Sequence, residues 1–578
     1  MGGGSQPMGL GYWKDAMKNT PKEVLNYNLA YAVLCFGLMG TARGLDEGLV
    51  SGTISQKSFI SEYGLTVLED KSNAAAVAQK TGNIAAMVQI GSVAGALLAF
   101  IVSDRIGRIW ATRQLTLVWI IGTVVYVTAK GNYGQILAGR FVMGLGIGQT
   151  TVVAPTSVVC TLPRILKTDL PTAIWLRLLL ARFVDFASVF SRVLCTWALC
   201  LATSPIEGLL CILPVPARQW FIPNMMHIIF AGVIFIASFF ALESPRYLCR
   251  KGDFEGAALV MTKLRNLPSD HVYVQAELID IKDQLERERE ATLGSAWFGP
   301  LKELVLIKSN LYRFMLGFAA QVLGQWSGGG FITIYAPQFF TILGTTGQSE
   351  KLFATAVFGV VKFASALICA FFLVDFLGRK RALGAGITLQ LVSVLYAAIF
   401  LTAVPQITKV DTKTGATVPL TGAAHHAATG AIVFIYFSGV AWALGWNSIQ
   451  DLIGAEIFPL RVRSLANSLI MCIHFVNQYG SSKAVPLMLL PGSLAPSGTF
   501  WFFSAVTWLG LVWVWFFLPE TAGKSLESMD EKFSLPWYLI GRKGAEMSRG
   551  RGAVAEATEN GGDLDKISAV QAEHAGAL

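Results

Sequence analysis

Asp104-Arg-Ile-Gly-Arg108 and Asp375-Phe-Leu-Gly-Arg-Lys-Arg381 are two copies of one charged phrase, each lodged between long apolar runs. A second phrase also recurs, as Glu243-Ser-Pro-Arg246 after one apolar run and as Pro519-Glu520-Thr-Ala-Gly-Lys-Ser-Leu-Glu527 after the last. The offset from Asp104 to Asp375 nearly equals that from Glu243 to Glu520. Two different phrases repeating at one interval divide the chain into two homologous halves.

The medium follows from composition. With 53% hydrophobic residues, 14% charged residues and a mean hydropathy of +0.53, the chain cannot be covered by a soluble surface and reads as an all-α integral membrane protein. Eleven stretches approach the roughly 20 residues that span a bilayer. They fall near 27–50, 82–103, 112–129, 134–155, 221–241, 312–334, 351–374, 382–404, 427–449, 465–489 and 499–518. A twelfth is required between 156 and 220. The basic clusters Lys14, Lys18 and Lys22, then Arg105, Arg108 and Arg113, then Arg379, Lys380 and Arg381, then Arg461 and Arg463 share one side of the membrane only if the number of spans is even. By the positive-inside rule that side is the cytoplasm.

The resulting division is a cytoplasmic segment over 1–26, a six-helix bundle over 27–243, a cytoplasmic linker over 244–311, a second six-helix bundle over 312–518, and a largely disordered tail over 519–578. The charged stretch from Glu277 to Glu290 marks the linker as amphipathic helix. A net charge of +9 does not point to nucleic acid, because the cations cluster at helix ends where topology accounts for them. The eight cysteines lack metal-ligand spacing, and His425 with His426 has no further ligands nearby, so neither metal nor cofactor is expected. The run Gly144, Gly146, Gly148 lies inside a span, where close helix packing explains it better than a dinucleotide loop. No nucleophile, base and orienting group recur together, which argues against an enzyme.

With these residues in view, the chain resembles the sugar porter family of the major facilitator superfamily, and most closely its fungal hexose and monosaccharide transporters. The resemblance rests on Gly44-Leu-Asp46-Glu-Gly48, Asp104 to Arg108, Gly139-Arg140, Glu243 to Arg246, Gln321 to Ser327, Asp375 to Arg381, Glu456 to Arg463 and Pro519 to Glu527, in that order. It implies two six-helix bundles working by alternating access, in a monomer at the plasma membrane with both termini cytoplasmic. The implied substrate is a monosaccharide carried with protons. A uniport facilitator, a quinate or polyol transporter, and a nutrient sensor on the same scaffold are the alternatives.

The resemblance also implies roles. Asp46 would accept the coupling proton and pair with Arg140; an intramembrane carboxylate is costly and usually functional. Gln321 and Gln325, one helical turn apart, would bind substrate with Trp442, Phe475 and Gln478, since a sugar offers hydroxyls at its rim and apolar faces. Asp104, Arg108, Glu243, Arg246, Asp375, Arg379, Glu456, Arg461 and Glu520 would form a cytoplasmic gating network, the bland reading being topogenic charge. Gly330 stands where the family usually has an asparagine, and Asp451 where many members have a tryptophan.

From Thr156 to Arg218 the pattern lapses. The segment holds Cys160, Cys195, Cys200 and Cys211 and scatters Arg177, Arg182, Asp185 and Arg192 through apolar residues. Residues 156–218 therefore read as out-of-frame or retained-intron sequence, with a diverged fifth span as the alternative, and would compromise transport by this polypeptide.

Overall fold

The computed structural model describes residues 26–65, 71–161, 220–292, 299–345, 348–369, 378–404, 422–447, 457–490, 492–519 and 533. These are helices and their connecting turns, with no strand among the described residues. The first half contains α1 (Tyr27–Leu38), α2 (Thr41–Ser55), α3 (Lys57–Glu62), α4 (Lys71–Ile106), α5 (Arg108–Val127), α6 (Tyr133–Thr161) and α7 (Phe221–Ala237). The linker is α8 (Pro245–Lys251), α9 (Phe254–Arg265), α10 (Val272–Thr292) and α11 (Gly299–Leu306). The second half contains α12 (Lys308–Trp326), α13 (Gly329–Ile334), α14 (Ala336–Ile342), α15 (Gln348–Ile368), α16 (Arg379–Ala403), α17 (Ala423–Leu444), α18 (Leu460–Met488) and α19 (Ala495–Phe516).

Each of the eleven expected spans overlaps one or more of these helices. Asn73–Ser103, Arg108–Val127, Tyr133–Ala154, Arg379–Ala403, Ala423–Leu444 and Ala495–Phe516 are long and apolar enough to cross a membrane, and Pro223–Ala237 is apolar but shorter. The remaining spans keep charges or breaks inside the membrane-length stretch: Arg43, Asp46 and Glu47 in α2, the interruptions between α12 and α14, Lys362 in α15, and His474 and Lys483 in α18. These less membrane-like helices carry Asp46, Gln321, Gln325, Phe475 and Gln478, while Arg140 and Trp442 lie on two of the apolar spans.

The glycine of the twice-written phrase has one backbone conformation in both copies. Gly107 at φ 93°, ψ 169° and Gly378 at φ 83°, ψ 162° each precede the first residue of the next span. Positive φ favours glycine, and at Gly107 space demands it too, since a Cβ there would lie 2.7 Å from Glu243 Oε2. The Glu243 carboxylate accepts from the backbone N–H of Arg108 (2.9 Å) and of Ile109 (3.2 Å), capping the orphan donors at the start of α5. The Arg108 guanidinium turns the other way, toward Ser103 Oγ (2.8 Å) and Thr156 Oγ1 (3.3 Å).

α6 extends six residues past its expected end, so the start of the aberrant 156–218 segment is ordinary helix. The hydroxyls of Thr156 and Ser157 bond back to the carbonyls of Val152 and Val153, four residues earlier. The rest of that segment, and with it the twelfth span, lies outside the described residues.

The linker has a core of its own, in which Val274, Leu278 and Ile281 of α10 pack with Cys249, Ala257 and Met261. A buried fork joins α9 to α10: Arg265 Nε and Nη2 donate to the two Glu277 oxygens, both at 3.0 Å. Asn26 and Asn28 then tie the last carbonyls of α9 to the start of α1 (3.0 and 2.9 Å). Arg265→Ala leaves the Glu277 carboxylate buried without this fork, and a loss of about 3–5 kcal/mol is expected. An Arg265→Met/Glu277→Leu pair should recover most of it, as thermal unfolding would show.

The halves meet along α4 and α18, which run antiparallel. A Cβ on Gly82 would lie 3.2 Å from Lys483 O, and Cys472 Sγ lies 3.8 Å from Val93 O. At the end away from the basic clusters, Val50, Ile54 and Ala85 of the first half share one apolar cluster with Phe331, Tyr335 and Val485 of the second.

Candidate substrate and coupling site

Asp46 and Arg140 are brought together at the centre of the first half. Arg140 Nη2 is 3.2 Å from Asp46 Oδ1 and 3.4 Å from Oδ2, with the residues 1% and 2% exposed. The guanidinium also stands over the Tyr126 ring, 5.5 Å from its centroid. Arg140 reaches this depth because α6 lies hard against both neighbours. A Cβ on Gly144 would sit 2.2 Å from Val88 O of α4, and one on Gly139 2.4 Å from Tyr126 N of α5. The glycine run is a packing seam, as its place inside a span predicts.

One residue along, Glu47 makes a link that spacing alone does not reveal. Its Oε1 accepts from Arg43 Nε (3.1 Å) within α2 and from Gln478 Nε2 (2.9 Å) of α18, so it bridges the two halves. A pocket at this junction is lined by Arg43, Asp46, Glu47, Gln89, Phe475 and Gln478 among others. The proposed proton acceptor and two of the expected substrate contacts therefore share one cavity.

Gln321 and Gln325 form a second polar group against α18, with His474 between them. His474 Nδ1 is 2.5 Å from Gln321 Oε1, and Gln325 Nε2 is 3.1 Å from the same nitrogen. His474 lies one helical turn from Gln478, which joins this group to the Glu47 junction. It was hidden in sequence because a lone histidine in an apolar run is ordinarily a core residue. The ring thus sits between two amides, and its tautomer sets which of them it donates to and which it accepts from.

The span that holds these glutamines is broken. Gly328 at φ 94° separates α12 from α13, and the freed Ser327 carbonyl accepts from Gln390 Nε2 (3.1 Å) and Thr507 Oγ1 (3.3 Å). Non-helical backbone at membrane depth is tolerated when it is repaired in this way or lines a cavity. Trp442 closes the other side, its ring 2.3 Å from where a Cβ on Gly329 would be. Gly330 faces the same place with room to spare, since a Cβ there would meet Gln325 Oε1 at 3.6 Å and Trp442 at 3.9 Å.

A family model for sugar (and other) transporters matches residues 32–533. The chain belongs to the sugar (and other) transporter family. It is accordingly a multi-pass membrane transporter of the major facilitator fold, and not an enzyme. A probable quinate permease of Aspergillus flavus is 28% identical over 521 residues, covering 89% of this chain and 90% of its own. The quinate permease of Emericella nidulans is 27% identical with the same coverage. Among solved structures, the proton:xylose symporter XylE bound to 6-bromo-6-deoxy-D-glucose superposes with a TM-score of 0.67 at 19% identity, over 88% of this chain and 99% of that one. An inward open conformation of the E. coli xylose transporter XylE gives 0.64 over 87% and 99%.

Of the expected gating residues of this sugar transporter family member, Arg108 and Glu243 are joined through the α5 cap described above. Arg246 is half-buried in α8 and Arg379 is buried at the start of α16. Asp104 and Arg461 are placed by the backbones of α4 and α18, their side chains lying outside the description. Asp375, Glu456, Glu520 and the unusual Asp451 lie outside the described residues. Lys362 was not singled out in sequence, although it is 4% exposed within a span; its Nζ donates to Thr333 Oγ1 at 2.7 Å.

Proposed function

We propose that this transporter imports a monosaccharide-sized polyhydroxylated ring, a hexose or pentose, by proton symport with alternating access of its two halves. The observation that carries the reading is the shared pocket. Asp46, paired with Arg140, faces the same cavity as Phe475 and Gln478, and Glu47 spans the halves there. A proton on Asp46 loosens its hold on Arg140, and the pocket wall changes charge where the second half contacts it. Substrate binding and proton binding are then linked through one set of side chains.

The amides supply donors and acceptors for ring hydroxyls, Trp442 and Phe475 supply flat apolar faces, and Gly328 lets α12 and α13 move separately. The apolar cluster of Val50, Ile54, Ala85, Phe331, Tyr335 and Val485 would be the outer gate, and the Asp-x-x-Gly-Arg ends the cytoplasmic one, with Asp104, Arg108, Glu243, Arg246, Asp375, Arg379, Glu456, Arg461 and Glu520 contributing. Both termini would be cytoplasmic, in a monomer at the plasma membrane. The quinate permeases among the relatives favour quinate as a second reading, and the space left by Gly330 suits a ring with other substituents.

Uptake of labelled hexose and of labelled quinate, by transporter-null yeast expressing the full chain, tests the reading. Gln325→Ala is expected to raise the KM of the carried solute about tenfold, equivalent to about 1.4 kcal/mol. An unchanged KM would remove Gln325 from the site. The exact chain should be assayed beside a version with a family-like fifth span, because silence from the exact chain alone would place the defect in 156–218.

A further inference from the structure

Lys362 lies in α15 with its stem along the Phe358 ring (Nζ 5.6 Å from the centroid) and against Gly439, where a Cβ would meet its Cγ at 2.9 Å. An intramembrane cation is costly and is kept for a purpose. Both neighbours connect Lys362 to the Gly329–Trp442 contact beside Gln325. Thr333, which accepts from its ammonium, follows Gly329 by one helical turn and bonds back to the Gly329 carbonyl at 3.1 Å. Gly439 precedes Trp442 by one turn on α17. The ammonium therefore stands one turn beyond Gly329 and the Trp442 ring packed on it, on the side of the apolar cluster that holds Phe331, Tyr335 and Phe358. Gly330 leaves the space between Gln325 and Trp442 free of a side chain.

The two carboxylates of the pocket, Asp46 and Glu47, belong to the first half and are engaged there with Arg140 and Arg43. Among the described residues of the second half, Lys362 is the buried cation bonded to Thr333 beside the Gly329–Trp442 contact. A neutral sugar would offer it only hydroxyl oxygens, whereas a carboxylate forms charge-assisted hydrogen bonds about twice as strong.

We propose that Lys362 binds the carboxylate of the substrate, so that this transporter selects polyhydroxylated ring acids over neutral rings. The proposal rests on the second reading of the function, quinate as the carried solute, with Gln325 and Trp442 holding the ring. An ammonium on a long flexible stem can follow the carboxylate as the site changes shape.

The test measures uptake of labelled quinate by the full chain and its inhibition by quinate, by the uncharged methyl ester of quinate, and by glucose. The wild-type chain is expected to prefer quinate to its ester at least tenfold. Lys362→Met should weaken quinate at least tenfold and weaken the ester by at most a fifth as much, while Lys362→Arg retains part of the preference. Equal loss of acid and ester in the Met variant, in protein that remains monodisperse in detergent, would overturn the proposal and make Lys362 a packing residue. A wild-type chain that carries hexose but not quinate would overturn it and leave the proposed function standing. A chain that carries neither ring, even with the fifth span restored, would overturn both.

Discussion

An Asp46→Asn variant is expected to lose concentrative uptake entirely while still exchanging labelled for unlabelled solute across the membrane. Asparagine keeps the shape of the aspartate and one acceptor for Arg140, but it cannot take up and release a proton. A pH gradient of one unit stores about 1.4 kcal/mol per proton, enough for about a tenfold accumulation at one proton per solute. The variant should reach a ratio of about one whatever the gradient. Folding must be checked separately, because removing one member of a buried pair costs about 3–5 kcal/mol when the other charge stays behind. Here the Tyr126 ring, 5.5 Å from the Arg140 guanidinium, offsets part of that loss. Monodisperse protein with intact exchange and no accumulation is the expected combination. Retained proton-driven accumulation would remove Asp46 from coupling.

The second large effect is expected at Gly144. A Cβ at this position would lie 2.2 Å from Val88 O and 3.0 Å from Gly91 Cα, and both are backbone atoms that cannot swing aside. Gly91, Gly95 and Gly148 meet the facing helix as closely, at 2.2, 2.5 and 2.2 Å, so α4 and α6 interlock through two small-residue stripes. Such stripes let backbones approach where no hydrophobic effect drives association. Gly144→Leu must push the helices apart and is expected to cost about 3 kcal/mol or more, at the upper end of overpacking penalties. Arg140 lies one turn from Gly144, so the same displacement draws it from Asp46 and should damage coupling in whatever protein survives. Gly480→Ala is the matched control: it is also in a helix, nothing lies within 4 Å of its added Cβ, and helix propensity favours the change by about 1 kcal/mol. Thermal unfolding in detergent should separate the two variants clearly.

The fold was legible because its determinants are local or repeated. Hydropathy located the six helices that, among the described residues, are apolar enough to cross a membrane, and the duplicated phrase pointed to two halves; the shared conformation of Gly107 and Gly378 shows the physical content of that repeat. The break in the span holding Gln321 and Gln325 falls where Ser327 to Gly330 puts three glycines in a row, the residues least favourable to a continuous helix after proline.

What sequence could not show was which side chains meet across helices. Gln478 was expected at a substrate and is found donating to Glu47; Glu47 was read only as a charge beside Asp46. His474 falls in an apolar stretch and gains meaning only from the two glutamines of α12. Gln390 is one amide in an otherwise ordinary span until the freed Ser327 carbonyl supplies its partner. Lys362 did leave a signal, a lone charge eleven residues beyond Lys351 in a membrane-length helix. The rule that singled out Asp46 would have found it.

The most direct test of coupled transport is solute accumulation by the purified full chain in proteoliposomes under an imposed pH gradient, acidic outside, with and without a protonophore. The account predicts accumulation of a polyhydroxylated ring about tenfold above equilibrium per unit of pH, collapsing when the protonophore is added. Equilibration to the same ratio with or without the gradient, by a chain that does carry the solute, would contradict proton coupling and leave a facilitator.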